Sequence, residues 1–263
     1  MTTMSPLEAT AARHRVSSDG RRVERVAYMI GAVLFISGLV HLGVLIATGA
    51  SWAGPLSLRK PASFGLSFGL TLATLAWASS FVAIRPGMRT ILLGVFTGAC
   101  VVETSLVSLQ AWRGVPSHFN YETGFDSGVS MTLAAGGGAI IVSALGFTAG
   151  ALLGTAAVPP SMRLALRFGF LALLVALGVG VVMIVDGVVQ ARSGNPLGAY
   201  TTAGGLKPLH AVAMHAILVL PALAWLLRFT DWDERRRVRL VRVAAVIYAA
   251  LIAGAAVVSF SGG

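Results

Sequence analysis

Glu103 and Asp186 stand inside long apolar runs of the sequence, where an ionisable side chain is costly and therefore calls for a reason. A carboxyl shielded from water can change protonation near neutrality, which suits it to proton transfer. Both are candidate acid–base groups, either for a reaction on a small or lipophilic substrate or for a proton-coupled transport step. No nucleophile, metal set or phosphate loop in the chain selects one reaction class.

Three histidines, His41, His210 and His215, also fall in apolar runs. Histidines on two helices at similar depth can give a haem both axial ligands, and His41 and His215 form the natural pair, with His210 as a substitute. His210 and His215 are five residues apart, about 140° around a regular helix, so one metal cannot take both. The same spacing speaks against a two-histidine zinc motif. His210 and Met214 share a face that could suit copper. Haem or a metal stays open, and no metal ligands are assigned. The single cysteine, Cys100, permits no intramolecular disulfide and no cysteine-based zinc or iron–sulfur site.

A third set would bind rather than react. It comprises Lys60, Gln110, Arg113, His118, Asn120, Asp126, Gln190 and Lys207, several of them in the polar stretch RGVPSHFNYETGFD at 113–126. Glu103 and Gln110 are seven apart, Asp186 and Gln190 four, Lys207 and His210 three, so each pair shares a helix face. Turned inward, these stripes make one polar pocket, with Lys60, Arg113 and Lys207 drawing an anionic group to its mouth.

The elements that must carry these residues follow from composition. The chain has 263 residues, 56% hydrophobic and 11% charged, and soluble domains carry roughly twice that charged fraction. The expected fold is all-α: a polytopic integral membrane protein of the cell membrane, with the lipid bilayer as its solvent. Its net charge of +10 does not point to nucleic acid, because the basic residues lie in short clusters between apolar runs. A span needs roughly 20 apolar residues, and seven segments qualify: 25–48, 62–84, 89–112, 128–154, 164–191, 208–229 and 238–260. Residues 1–22 read as a disordered cytoplasmic tail ahead of a transmembrane domain over 23–263. Pro159-Pro160 separates the fourth and fifth segments, and Pro221 predicts a kink in the sixth.

Fifteen of the twenty Lys and Arg fall on one side of this topology, in the tail and in the loops after the second, fourth and sixth segments. Excess positive charge marks the cytoplasmic side, which predicts the N-terminus in and the C-terminus out. At about 1.5 Å per residue, Glu103 then lies roughly 12 Å below the outer boundary, His41 and His215 about 10 Å, Asp186 about 8 Å and His210 about 3 Å. The ionisable groups thus belong to the outer half.

Glycines at four-residue spacing (Gly65 and Gly69; Gly146, Gly150 and Gly154) are read as close helix packing. The second segment opens as LRKPASFG and the sixth as GLKPLHAV. This echo suggests two parallel three-helix repeats joined by the fourth segment, a plan that some carriers use. The leading expectation is an enzyme or cofactor-binding membrane protein with an outward-facing pocket. A proton-coupled small-molecule transporter is the alternative, and an accessory or scaffold protein with a structural polar network is the third. The oligomeric state is not legible.

Overall fold

The computed structural model describes residues 6–54, 56–154, 158–201 and 204–261, with side chains from residue 22 onward apart from 196 and 201. These residues form eight helices: α1 Pro6–Ala47, α2 Arg59–Ser79, α3 Pro86–Trp112, α4 Gly124–Leu153, α5 Pro160–Arg192, α6 Pro196–Thr201, α7 Lys207–Leu226 and α8 Glu234–Ser261. A 3₁₀ turn, Leu227–Phe229, extends α7, and no strand occurs among the described residues. Seven of the helices contain a stretch long and apolar enough to cross a membrane. Their outward surfaces carry large apolar side chains, among them Met29, Val33, Val142, Leu153, Val246 and Val258.

Two features depart from the sequence reading. The first helix begins at Pro6, within the stretch expected to be a disordered tail; the Ala-, Arg- and Glu-containing segment there favours helix and extends one already nucleated. Residues 1–5 of that expected tail lie outside the described residues. The short α6 was not expected, because six residues are too few to show a period. Helix starts follow proline chemistry: Pro86 and Pro160 open α3 and α5, and Pro61 and Pro208 sit in the first turns of α2 and α7, where a missing N–H costs nothing. The helix α7 continues through the buried Pro221.

The packing order divides the bundle into two units. In the first, α1 lies along α2 and both touch α3; in the second, α5 lies along α7 and both touch α8. Between them α4 packs on α3 and on α5, and the units also meet directly through α2 and α7. Each unit is clipped at the same end through a carboxylate: Glu24 of α1 pairs with Arg89 of α3, and Glu234 of α8 accepts from the Ser161 amide of α5 at 2.7 Å. The correspondence α1–α5, α2–α7, α3–α8 is the one the Lys-Pro echo suggested.

Close approach in the first unit depends on glycine. A Cβ on Gly65 would stand 2.6 Å from the Gly38 amide nitrogen, and one on Gly38 would stand 2.5 Å from the Leu66 amide nitrogen. Backbone therefore meets backbone, and no side chain can yield to make room. The expected glycine stripe of α2 is a packing device.

One end of the bundle is basic, and its arginines cap helix ends. Arg89 donates to the carbonyls of Ser79 and Ala76 at the end of α2. Arg167 donates to Ala151 and Leu152 at the end of α4, and Arg237 to Thr230 just past α7. The last carbonyls of a helix lack the next turn's amides and readily take such donors. The opposite end carries the polar loop 113–123 and the starts of α2 and α7.

Candidate functional site

At the polar end, α3 carries two buried polar groups, Glu103 and Gln110, which meet different levels of α4. Glu103 lies against Gly136, where an added Cβ would be 2.7 Å from its Oε1, and the Gly137 backbone is within its hydrogen-bonding reach. Small residues on α4 make the space that the carboxylate fills. Lys60 of α2 is close enough for the two charges to interact. The Lys60 side chain is half-buried and makes no hydrogen bond among the described residues.

Gln110 belongs to a clasp that starts α4. The Asp126 carboxylate accepts from Gln110 Nε2 at 2.8 Å, from Arg113 Nη1 at 2.6 Å and from the Thr123 hydroxyl at 2.6 Å. The Asp126 amide donates back to Thr123 Oγ1 at 3.1 Å, so Thr123 is the N-cap of α4. Arg113 also bonds Gln110 Oε1 and lies 4.7 Å over the Phe125 ring. All of this joins the end of α3 to the start of α4. Arg113 is therefore engaged in the clasp.

Between these helices the loop 113–123 folds over the bundle. Asn120 exchanges two hydrogen bonds with Ser130 through its backbone, and its Oδ1 accepts from the Glu122 amide, while its buried Nδ2 has no partner. His118 points inward: its Nδ1 is 3.0 Å from Ser117 Oγ, and its ring lies 5.8 Å from that of Phe64 on α2. Burial, reinforced by the Lys60 charge, holds this imidazole well below its ordinary pKa, so it is neutral at neutral pH. Phe119 adopts φ +59°, a strained conformation for a bulky residue. Its ring fills the notch left by Gly187 on α5, where a Cβ would meet it at 2.4 Å. Glu122 in turn approaches Tyr200 of α6, whose phenol pKa is raised by burial and by that carboxylate. The loop thus starts in the first unit and lands on the second.

The remaining expected site residues do not join this group through any hydrogen bond. His41 is buried with both ring nitrogens used: Nδ1 donates to the Ser37 carbonyl at 2.7 Å, and Nε2 accepts from Trp112 Nε1 at 3.0 Å. Since a carbonyl only accepts, the Nδ1–H tautomer follows. His210 Nδ1 donates to Ala176 of α5 at 2.7 Å. His215 is exposed on α7 and bonded to the Ala211 carbonyl of its own helix. It lines a shallow cleft with Thr71 and Thr74 of α2. Gln190 is spent on Asn195. Asp186 is half-buried on α5 and makes no hydrogen bond or ion pair among the described residues, and α4 stands between its helix and that of Glu103.

The expected haem pair thus has His41 already saturated by protein groups. Among the described residues, no three of His, Cys, Asp and Glu gather as a metal set. Neither of the two best-formed clefts lies at Lys60 and Glu103, and each has room for little more than one water. At the end of the bundle where the outward pocket was expected, Lys60 lies within electrostatic reach of both Glu103 and His118.

Sequence reasoning overlooked Arg59, Trp112, Phe119, Thr123 and Ser130 as parts of this end. Thr123 could have been found, since Thr-x-x-Asp before an apolar run is a helix-start signal. The placement of Phe119 against Gly187 has no local signal. The chain matches no protein-family model, no curated protein and no solved structure.

Proposed function

We propose that this chain is a multi-pass membrane protein that works as a proton-coupled carrier of a small polar solute, which it takes at its polar, outward end. One observation carries this reading: the buried Glu103 of α3 lies within electrostatic reach of the half-buried Lys60 of α2, beside the α4 that joins two similarly packed three-helix units. Ionisable groups are costly to bury in an apolar bundle and mark an ion or proton path by default. Carriers built from repeated units hold their sites where the repeats meet and move one unit against the other. The loop 113–123, anchored on the first unit and seated on Gly187 of the second, would be the gate. Its seat on the second unit would then correspond to an occluded state.

An acid–base enzyme would use the same Glu103, but Asp186, its expected partner, sits on a helix separated from it by α4. A cofactor protein would need free histidine nitrogens where His41 has none. The carrier reading asks for neither.

The experiment is proton movement in proteoliposomes that hold a pH-sensitive dye, challenged in turn with sugars, amino acids and carboxylates. At least one class should drive a proton flux in the wild type, and Glu103→Gln should abolish it while the protein still folds and inserts. Flux that survives Glu103→Gln, or no flux with any class, overturns the reading.

A further inference from the structure

Resting on that reading, we propose that the solute is an oxyanion carrying two negative charges, held between the starts of α2 and α7 by Arg59, Lys60 and Lys207. The first observation is a local excess of charge. Lys60 interacts electrostatically with Lys207, with Arg59 and with Glu103, and Lys207 also interacts with Arg59. Among the described residues three cations therefore share one neighbourhood with a single carboxylate, leaving two positive charges unmatched. None of the three makes an ion pair among the described residues.

The second observation is an unused donor. Arg59 Nε is buried and has no hydrogen-bond partner, whereas a native protein normally satisfies such a group. A guanidinium offers donors in a planar fork that fits carboxylate or phosphate oxygens. A third feature adds direction: α2 begins at Arg59 and α7 at Lys207, and although the first amides of α2 are already bonded to Ser57 and Leu58, the dipole of each helix start favours negative charge. One Lys-Pro comes from each unit, so an anion bridging them would tie the two units together at the polar end. Of the other cations at this end, Arg113 is already neutralised by Asp126 and Arg192 is exposed at the end of α5.

The shared chemistry of a dicarboxylate, a phosphate monoester and an anionic lipid headgroup is a compact oxyanion, and the experiment separates these sources. Purified protein in neutral detergent is titrated calorimetrically with succinate and with inorganic phosphate, glycerol serving as the neutral control. The same protein is then placed in nanodiscs of phosphatidylcholine, with or without phosphatidylglycerol. Wild type should bind at least one anion saturably and melt at a higher temperature with it. Arg59→Gln and Lys207→Gln should each weaken binding about tenfold, the loss of one charge-assisted contact. Both positions lie at helix starts, so the anion-free variants should melt no lower than wild type. Stabilisation by phosphatidylglycerol that Lys207→Gln removes, with neither soluble anion bound, would overturn the inference by assigning the cluster to a singly charged lipid headgroup. Failure of succinate and phosphate alike overturns it, as does binding undiminished in both variants. The two proposals fail separately: anion binding without proton flux sinks only the carrier, and proton-linked flux of a neutral solute without anion binding sinks only the oxyanion.

Discussion

The two ends of the bundle use the same residue type in opposite ways. At the basic end Arg89, Arg167 and Arg237 direct their donors to the exposed carbonyls of helix ends, and Arg89 and Arg237 also pair with Glu24 and Glu234. At the polar end Arg59, Lys60 and Lys207 stand at the starts of α2 and α7 and make no ion pair among the described residues. A helix start offers amides, which a cation cannot satisfy. Three arginines of one end are therefore engaged by the fold, although the Nε of Arg237 is unpartnered there too. Arg59, Lys60 and Lys207 at the other end carry charge that no described carboxylate pairs with. Charge counts from the sequence predict which side faces the cytoplasm, but only partner geometry tells a structural cation from a binding one.

The strongest way to break this comparison is to remove one arginine from each end. Arg89→Ala deletes bonds to two carbonyls and leaves Glu24 half-buried without its partner. It should destabilise the protein by about 3 kcal/mol, read from unfolding in detergent. Arg59→Gln should change stability by less than about 0.5 kcal/mol, or raise it, because it relieves repulsion and removes an unsatisfied donor. Equal losses from the two variants would show that both ends are structural.

A smaller effect sharpens the comparison within the polar end, which itself divides into a clasp and a cation cluster. Asp126 anchors the clasp by accepting from three side chains. Asp126→Asn keeps the shape but loses the charge and part of the accepting capacity, and should cost about 2 kcal/mol. Titrated with succinate, the same variant should keep its affinity within about twofold, since the clasp holds helices rather than ligand. A large loss of affinity would merge the two parts into one site.

How much of this was legible depends on the reach of the signal. The seven apolar helices follow from run length alone, because lipid-facing and core-facing residues are apolar alike. Burial of Glu103, Gln110 and Asp126 was equally legible, since each interrupts or borders such a run. Their partners were not. The seven-residue spacing puts Glu103 and Gln110 on one face of α3, yet α4 meets that face with Gly136 at one level and Asp126 at another. Arg113 looked like a ligand-attracting cation because nothing local reveals that Asp126, thirteen residues on, takes its charge. Arg59 escaped for the opposite reason: beside Lys60 it reads as part of a solvated loop, and only tertiary packing buries its Nε. The histidines were the least legible, because a haem ligand and a saturated core histidine have the same sequence and differ only in whether an indole such as Trp112 occupies the second nitrogen.

The smallest expected effect concerns pH and tests whether the loop really encloses His118. Burial and the Lys60 charge keep this imidazole neutral in the folded state, with a pKa well below its ordinary value, while in the unfolded chain it titrates near 6.5. Above that value neither state is protonated and the group adds no pH dependence. As the pH falls below it, the unfolded state takes up a proton that the folded state refuses, so stability declines. For one group the slope is at most about 1.4 kcal/mol per pH unit. Melting temperature should therefore fall between pH 7 and pH 5 more steeply in the wild type than in His118→Gln, whose amide cannot titrate. Other acidic transitions are common to both proteins and cancel in the difference. Parallel curves would mean that His118 reaches water, and that the loop from Arg113 to Thr123 does not close the polar end in the way its seat on Gly187 implies.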